Sequence, residues 1–426
     1  MNLLSKISGH RLAHNTMLAT GWQGVRVALQ AVWVILLARA IGPGDYGSFA
    51  GMAGLAAALG ALTGLGFGML MIQDASRNQR HFATAWKRAL VLTLGSGCAL
   101  LGLYVTMAPL LFHVHGAWLY AAIGLPELIC LPVTLVASYA FQLHERMGWA
   151  GALFSLSAIG NLIAVVVFLG LSPEHVLRYY LPFHAGISVL AGTGAVGLVL
   201  ALLAPPNARF KVSGRDIREG MGFSLMRIAD TGMTSLDKTL VLLLAGSHVA
   251  GIYGSAYRLV AVLAMPATSL GMAALPRLFR NHATGTDARA RKSGLVGVLL
   301  VATAAYGVIA ALLAYALSGL LPILFGPAFA QAAKAARWLA ISPLLYGLYT
   351  LGCNVLVTSH RRTLRILAQA TGIAILAITA LIWVPRFGLK GAVGMLLFSQ
   401  GGTALLLWLL VRWSGRAGSS RSEAIP

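Results

Sequence analysis

Charge is scarce in this chain: 11 acidic and 32 basic residues among 426, against 58% hydrophobic. A water-soluble fold of that length needs a far more polar surface, so a soluble globular protein is excluded. Cysteine is nearly absent. Cys98, Cys130 and Cys353 are scattered through apolar runs with no pair spacing, which argues against a disulfide framework or a metal centre. The period-two alternation of a membrane β-barrel is missing. No Gly-x4-Gly-Lys-Ser/Thr stretch occurs, so ATP-driven work within this chain is not expected. No loop is long enough to fold as a soluble domain, and no acid, base or metal-ligand cluster stands on one. An enzyme such as a glycosyltransferase or polymerase is therefore not expected, nor is a cofactor. No cleavable leader is expected either; Lys6 and Arg11 among Leu3, Leu4 and Ile7 suggest a short interfacial helix over Met1–His14.

What fills the chain is long runs of Leu, Ala, Gly and Val. Windows at 16–38, 46–72, 88–111, 117–142, 148–170, 178–204, 217–246, 249–275, 294–325, 335–357, 364–384 and 389–411 are each long enough to cross a core of about 30 Å as a helix. The fold class expected is an all-α polytopic membrane protein with about twelve spans. With the N-terminus in the cytoplasm, 22 of the 32 Lys and Arg fall on that side and 6 on the other, a bias that sets both termini there. The net charge of +21 thus belongs mostly to cytoplasmic loops. It needs no nucleic acid, and anionic lipids at that face are its natural partners. Pro205-Pro206 ends the sixth span. The expected organisation is an N-terminal lobe over 1–205, a basic cytoplasmic linker over 206–216, a C-terminal lobe over 217–415 and a disordered tail over 416–426.

The two lobes carry a repeat. Seven of the thirteen residues from Leu36 to Ser48 recur without a gap 207 residues later, from Leu243 to Ser255, including Gly-x-Tyr-Gly-Ser at one register. The same offset pairs Thr20 with Arg227, Gln23 with Asp230 and Gln30 with Asp237. Each is a polar residue inside an apolar run, where it costs insertion energy. Six spans per lobe make the repeats parallel, related by a pseudo-two-fold axis along the membrane normal, with a shared site between them as in transporters.

Span 1 carries Thr16, Thr20, Gln23, Arg26 and Gln30 on one helical face; span 7 carries Ser224, Arg227, Asp230, Thr231, Thr234, Asp237 and Lys238. Lipid cannot satisfy such a stripe, so it faces protein or a water-filled cavity. The structural reading pairs Arg227 with Asp230, three residues on, and Asp237 with Lys238 or with another helix, as packing glue. For two stripes at matching depth the cavity reading is preferred. It makes Arg26, Gln23, Gln30, Arg227, Asp230 and Arg258 candidate substrate-binding residues. Near a helix end, Arg258 has snorkelling as its competing explanation. Glu127, between Pro126 and Pro132 in span 4, is either a proton-coupling carboxylate or a neutral group bonded to backbone that Pro132 frees. Asp230 is the second proton-coupling candidate. His184 reads as a packed histidine, and Tyr346 and Tyr349 as ordinary buried aromatics.

The stretch Leu36-Leu37-Ala38-Arg39-Ala40-Ile41-Gly42-Pro43-Gly44-Asp45-Tyr46-Gly47-Ser48-Phe49-Ala50 resembles the opening motif of the polysaccharide transporter family. These are O-antigen and exopolysaccharide flippases of the multidrug/oligosaccharidyl-lipid/polysaccharide superfamily. The resemblance continues through Asp237, Gly251-Ile252-Tyr253, Ala256-Tyr257-Arg258-Leu259, Pro276-Arg277, Leu324-Phe325-Gly326, Ser359, Arg361 and Pro385 to Gly388 and Gly391. It implies a two-lobed helical bundle around a cationic cavity in the bacterial inner membrane, with a polyprenyl-diphosphate-linked oligosaccharide as cargo. Polysaccharide polymerase and chain-length proteins would be further partners. It transfers no site residue, so the arginines rest on the stripe argument alone. The alternatives are a multidrug or cation antiporter of the same superfamily, disfavoured by the excess of Arg over carboxylate, and a non-transporting membrane partner of a polysaccharide synthase.

Overall fold

The structure, a computed structural model, describes residues 3–77, 81–114, 116–171, 176–206, 210, 212–280, 286–359 and 361–417. Among them every regular element is helical. Residues 418–426, most of the expected tail, lie outside the described residues, as do 207–209 and 211 of the expected linker.

Among the described residues ten helices are long and apolar enough to cross a membrane, two of them far too long for one crossing. The first, α1 (Leu3–Gly60), breaks at Gly42, whose φ of 76° and ψ of 174° suit glycine and no L side chain. Pro43 then opens the next stretch, where its missing N–H is no loss. The apolar part of α1, Gly21–Gly60, is 40 residues and spans roughly 60 Å, twice the hydrocarbon thickness. A second glycine, Gly246 with φ 82° and ψ 173°, breaks α8 (Gly214–Arg280) in the same conformation. Each break turns one long helix into two crossings, which brings ten helices to the twelve spans expected. Met1–His14 was expected as a short interfacial helix before the first span; from Leu3 onward its backbone runs without a break into the rest of α1.

The chain forms two compact units. The first comprises residues 1–41 and 49–231; the second comprises 42–48 and 232–426. The first unit holds α1 outside its corner, α2 (Phe67–Arg77), α3 (Phe82–Phe112), α4 (Ala117–Leu125), α5 (Leu131–Leu143), α6 (Met147–Leu171), α7 (Val176–Leu203) and the first turns of α8. Phe67, Met71, Trp86, Phe141, Leu153 and Val199 meet in its core. Between α4 and α5, Pro126–Cys130 forms a π-turn. Pro132 has no N–H for the carbonyl of Leu128, and the Thr63 hydroxyl donates to that carbonyl instead at 3.1 Å.

The second unit holds the rest of α8, then α9 (Thr286–Leu317), α10 (Leu321–Phe325), α11 (Ala330–Trp338), α12 (Ser342–Thr358), α13 (Arg362–Phe387) and α14 (Leu389–Ala417). Met233, Tyr349, Leu356 and Leu407 pack at its centre. The corner Gly42–Ser48 belongs to this unit and lies against α8 backbone to backbone. A Cβ added to Gly47 would meet the carbonyl of Ser247, and one added to Gly251 the carbonyl of Pro43. The repeated Gly-x-Tyr-Gly segments therefore cross each other where small residues permit the closest approach.

Candidate functional site

Measured from the glycine breaks, the repeat has a different register from the one the sequence identities suggest. Gly42 and Gly246 stand 204 residues apart, so Arg26 and Asp230 each lie 16 residues, about 24 Å, before a break. Gln23 then corresponds to Arg227, and Trp33 to Asp237.

Within the first unit, α1 presents Arg26, Gln30 and Trp33 at helical spacing to a cavity of about 100 Å³. Glu127 from the π-turn, Phe154, Ser157 and Asn161 from α6, and His184 from α7 also line it. Three residues singled out by sequence, Arg26, Gln30 and Glu127, thus share one cavity. Gln23 is exposed one turn earlier and lies outside it. The side chains of Thr16 and Thr20 are not among those described.

Arg26 is half-buried. Its guanidinium carbon lies 5.3 Å from the centre of the Phe154 ring, and its Nε is buried without a hydrogen-bond partner among the described residues. A desolvated guanidinium on an aromatic face with donor capacity left over is ready for an oxygen-rich anion. His184 is fixed as the wall of this cavity. Its Nδ1 lies 2.7 Å from Asn161 Oδ1, its ring stacks on Tyr180 and Trp33, and Phe49 meets it edge-on. Trp33 Nε1 donates to the Tyr180 hydroxyl at 2.6 Å. His184 is therefore the packed histidine the sequence suggested. Asn161 and Trp33 were missed; Asn161 is a polar residue in an apolar span and obeys the rule that singled out Gln30.

Arg227 and Asp230 are half-buried on the first turns of α8 and are not part of this cavity's lining. Arg227 is near enough to Tyr139 of α5 to act on it electrostatically. Arg258 belongs to the second unit and is exposed, 12 residues past the Gly246 break. That is roughly 18 Å of helix. In the same unit Asp237 is fully buried. It accepts from Lys238 Nζ at 2.8 Å and from the Tyr253 hydroxyl at 2.7 Å. Lys238 also donates to the carbonyl of Thr234 at 2.8 Å and sits 3.9 Å from the centre of the Tyr257 ring. The Asp237–Lys238 pair is thus the packing glue of the structural reading. Among the described residues no three His, Cys, Asp or Glu gather as a metal site would need.

The sequence model described as polysaccharide biosynthesis protein matches residues 12–282. The chain belongs to the polysaccharide biosynthesis protein family. No curated protein matches this family member in sequence. Its fold is that of the MATE transporters. It is similar to the inward-facing conformation of a multidrug resistance MATE family transporter of the MOP superfamily (TM-score 0.71, 13% identity, 94% of this chain and 98% of that one). It is also similar to the outward-facing conformation of a multidrug resistance MATE family transporter (TM-score 0.63, 16% identity, 96% and 95%). A third similar structure is the MATE multidrug transporter DinF-BH (TM-score 0.66, 16% identity, 95% of each chain). This member of the polysaccharide biosynthesis family is therefore a multi-pass membrane protein built on a transporter fold.

Proposed function

We propose that this protein is a flippase. It moves a polyprenyl-diphosphate-linked oligosaccharide from the cytoplasmic to the periplasmic leaflet by alternating access, for assembly of a surface polysaccharide. The observation that carries the reading is Arg26: a guanidinium held inside a span, on a cavity edged by Gln30, Asn161 and Ser157, with a buried Nε–H that has no hydrogen-bond partner among the described residues. Planar, bidentate donation suits a diphosphate. Arg227 and Arg258 supply the remaining cationic groups along the path, with Gln23, Gln30 and Asp230 as polar contacts. On the family reading the chain sits in the bacterial inner membrane, and its basic-residue bias supports both termini being cytoplasmic. In that orientation an inside-negative potential favours export of an anion by roughly 2.3 kcal/mol per charge per 100 mV. Glu127 on the same cavity gives proton and cargo a way to compete through linkage.

A second reading, a multidrug or cation antiporter, draws on the MATE likeness and on Glu127, Trp33 and Phe154 lining the same cavity. Arg26 in that wall repels a cationic drug, which is why we place it second.

The test uses cells whose surface polysaccharide depends on this chain. Arg26→Ala together with Arg227→Ala is expected to cut glycan export at least tenfold at normal membrane levels. That factor matches the loss of a charge-assisted hydrogen bond of about 1.5–3 kcal/mol. Arg26→Lys keeps the charge but loses the fork, and recovers part of the export. Full export by the double variant refutes the assignment. In vesicles with an imposed pH gradient, Glu127→Gln is expected to move cargo without responding to the gradient; a wild-type response from that variant makes the carboxyl structural.

A further inference from the structure

A three-way ionic junction lies in the first unit, away from the cavity. Arg88 on α3 donates through one terminal nitrogen to Asp216 Oδ2 at 2.7 Å and through the other to Asp74 Oδ2 of α2 at 3.0 Å. The Arg88 side chain is 13% exposed and the two carboxylates 29% and 25%, so the tie is screened far less than a surface ion pair. Asp216 does a second job. Its Oδ2 also accepts from the Ser213 N–H at 3.1 Å, while the Ser213 hydroxyl accepts from the Asp216 N–H at 3.2 Å. That reciprocal capping box sets the start of α8. Freeing Asp216 from Arg88 therefore also disturbs the helix terminus.

One turn further on, α8 rests on the Thr63–Gly66 turn with no side chain between them. A Cβ on Gly220 would meet the carbonyl of Leu65, and one on Gly66 the carbonyl of Gly220. Glycine against backbone is a seat that can be left and retaken without repacking side chains. The helix seated here does not stay in one unit: up to Thr231 it belongs to the first, and from Gly232 to the second. A continuous helix transmits displacement along its axis. Any rearrangement that shifts the later turns of α8 must strain or release its seated end.

We propose that Arg88, Asp74 and Asp216 form a latch on the start of α8, closed here, which must open in the transport cycle. The inference rests on the reading of the chain as an alternating-access transporter. Two carboxylates share one guanidinium, so Asp74 holds Arg88 in place while Asp216 leaves, and the latch can re-engage.

The test has an arm independent of cargo and an arm that reads transport. In the first, amide exchange over Arg218–Leu225 is measured by mass spectrometry on the full chain in lipid nanodiscs, for wild type and Arg88→Gln. Exchange there is expected to rise at least tenfold in the variant, with α12–α14 unchanged; unchanged exchange at Arg218–Leu225 overturns the latch. Should Arg88→Gln fail to accumulate, Asp74→Asn replaces it, with an expected rise of a few fold and the same overturning result. In the second arm, Arg88→Cys and Asp216→Cys are introduced together with the three native cysteines replaced, and bridged by a short, reducible bifunctional thiol reagent. Bridging is expected to stop flipping of a fluorescent polyprenyl-diphosphate oligosaccharide in proteoliposomes, and reduction to restore it. Flipping at the unbridged rate while bridged overturns the latch. If the parent protein moves no such lipid, the cargo reading fails while the exchange arm still decides the latch.

Discussion

Replacing Asp237 by alanine is expected to destabilise the protein by about 3–5 kcal/mol, the usual cost of stripping one partner from a buried ion pair. Asp237 has no solvent exposure, and its two oxygens are taken by Lys238 and Tyr253. Without it the Lys238 ammonium, on a side chain only 15% exposed, keeps among the described residues the Thr234 carbonyl and the face of Tyr257. The Tyr253 hydroxyl loses its acceptor as well. The double variant Asp237→Ala, Lys238→Ala removes both charges and is expected to recover more than half of the loss. This non-additivity separates an ion pair from a merely crowded site. Thermal unfolding in detergent, followed by the protein remaining monodisperse, measures all three proteins. If the double variant is as unstable as the sum of the two single ones, the pair is not what holds this region together.

Gly251→Ala is expected to abolish accumulation of folded protein, while Gly44→Ala leaves it near wild type. By sequence these glycines occupy the same place in the two copies of Gly-x-Tyr-Gly. Their surroundings differ. A Cβ at Gly44 finds its nearest neighbour, the Ser247 hydroxyl, at 3.8 Å, which is ordinary contact. At Gly251 it runs into the carbonyl of Pro43, with the Pro43 carbonyl carbon at 2.7 Å and its Cα at 3.0 Å. Backbone cannot step aside as a side chain does, so the overpacking cost exceeds the usual ~1–3 kcal/mol. Gly47→Ala, which meets the carbonyl of Ser247, is expected to match Gly251→Ala. Membrane-fraction yield and size-exclusion profile are sufficient readouts. Equal tolerance at Gly44 and Gly251 contradicts the crossing described for this corner.

Features that obey a local rule were legible in the sequence. Apolar runs of span length gave the helices, and polar residues inside them pointed to Arg26, Gln30 and Glu127, which the fold brings to one cavity. Asp237 and Lys238 are adjacent, so their pairing was readable; the third partner, Tyr253, was not, although it stands in the repeated motif. The identities placed the repeat at 207 residues, yet the helix breaks stand 204 apart. Backbone conformation at a single glycine leaves no trace in a pattern of identities. Long-range partners were hidden for the same kind of reason. Thr63 meets a carbonyl 65 residues away, and Arg88 grips a carboxylate 128 residues away. Nothing near Arg88 distinguishes it from the other basic residues counted on the cytoplasmic side. Asn161 is a different case, since the polar-in-apolar rule reaches it directly.

Flipping of defined cargo in proteoliposomes tests the central claim most directly. Purified protein is reconstituted with a fluorescent polyprenyl-diphosphate-linked oligosaccharide, and the fraction protected from an impermeant quencher is followed over time. A lipophilic cationic dye is tested in parallel vesicles under an imposed pH gradient. The expected result is lipid translocation at least tenfold faster than in protein-free vesicles, lost in Arg26→Ala, with no accumulation of the dye. Gradient-driven uptake of the dye, with the lipid-linked oligosaccharide left in its original leaflet, would contradict the flippase reading and establish the cation antiporter in its place.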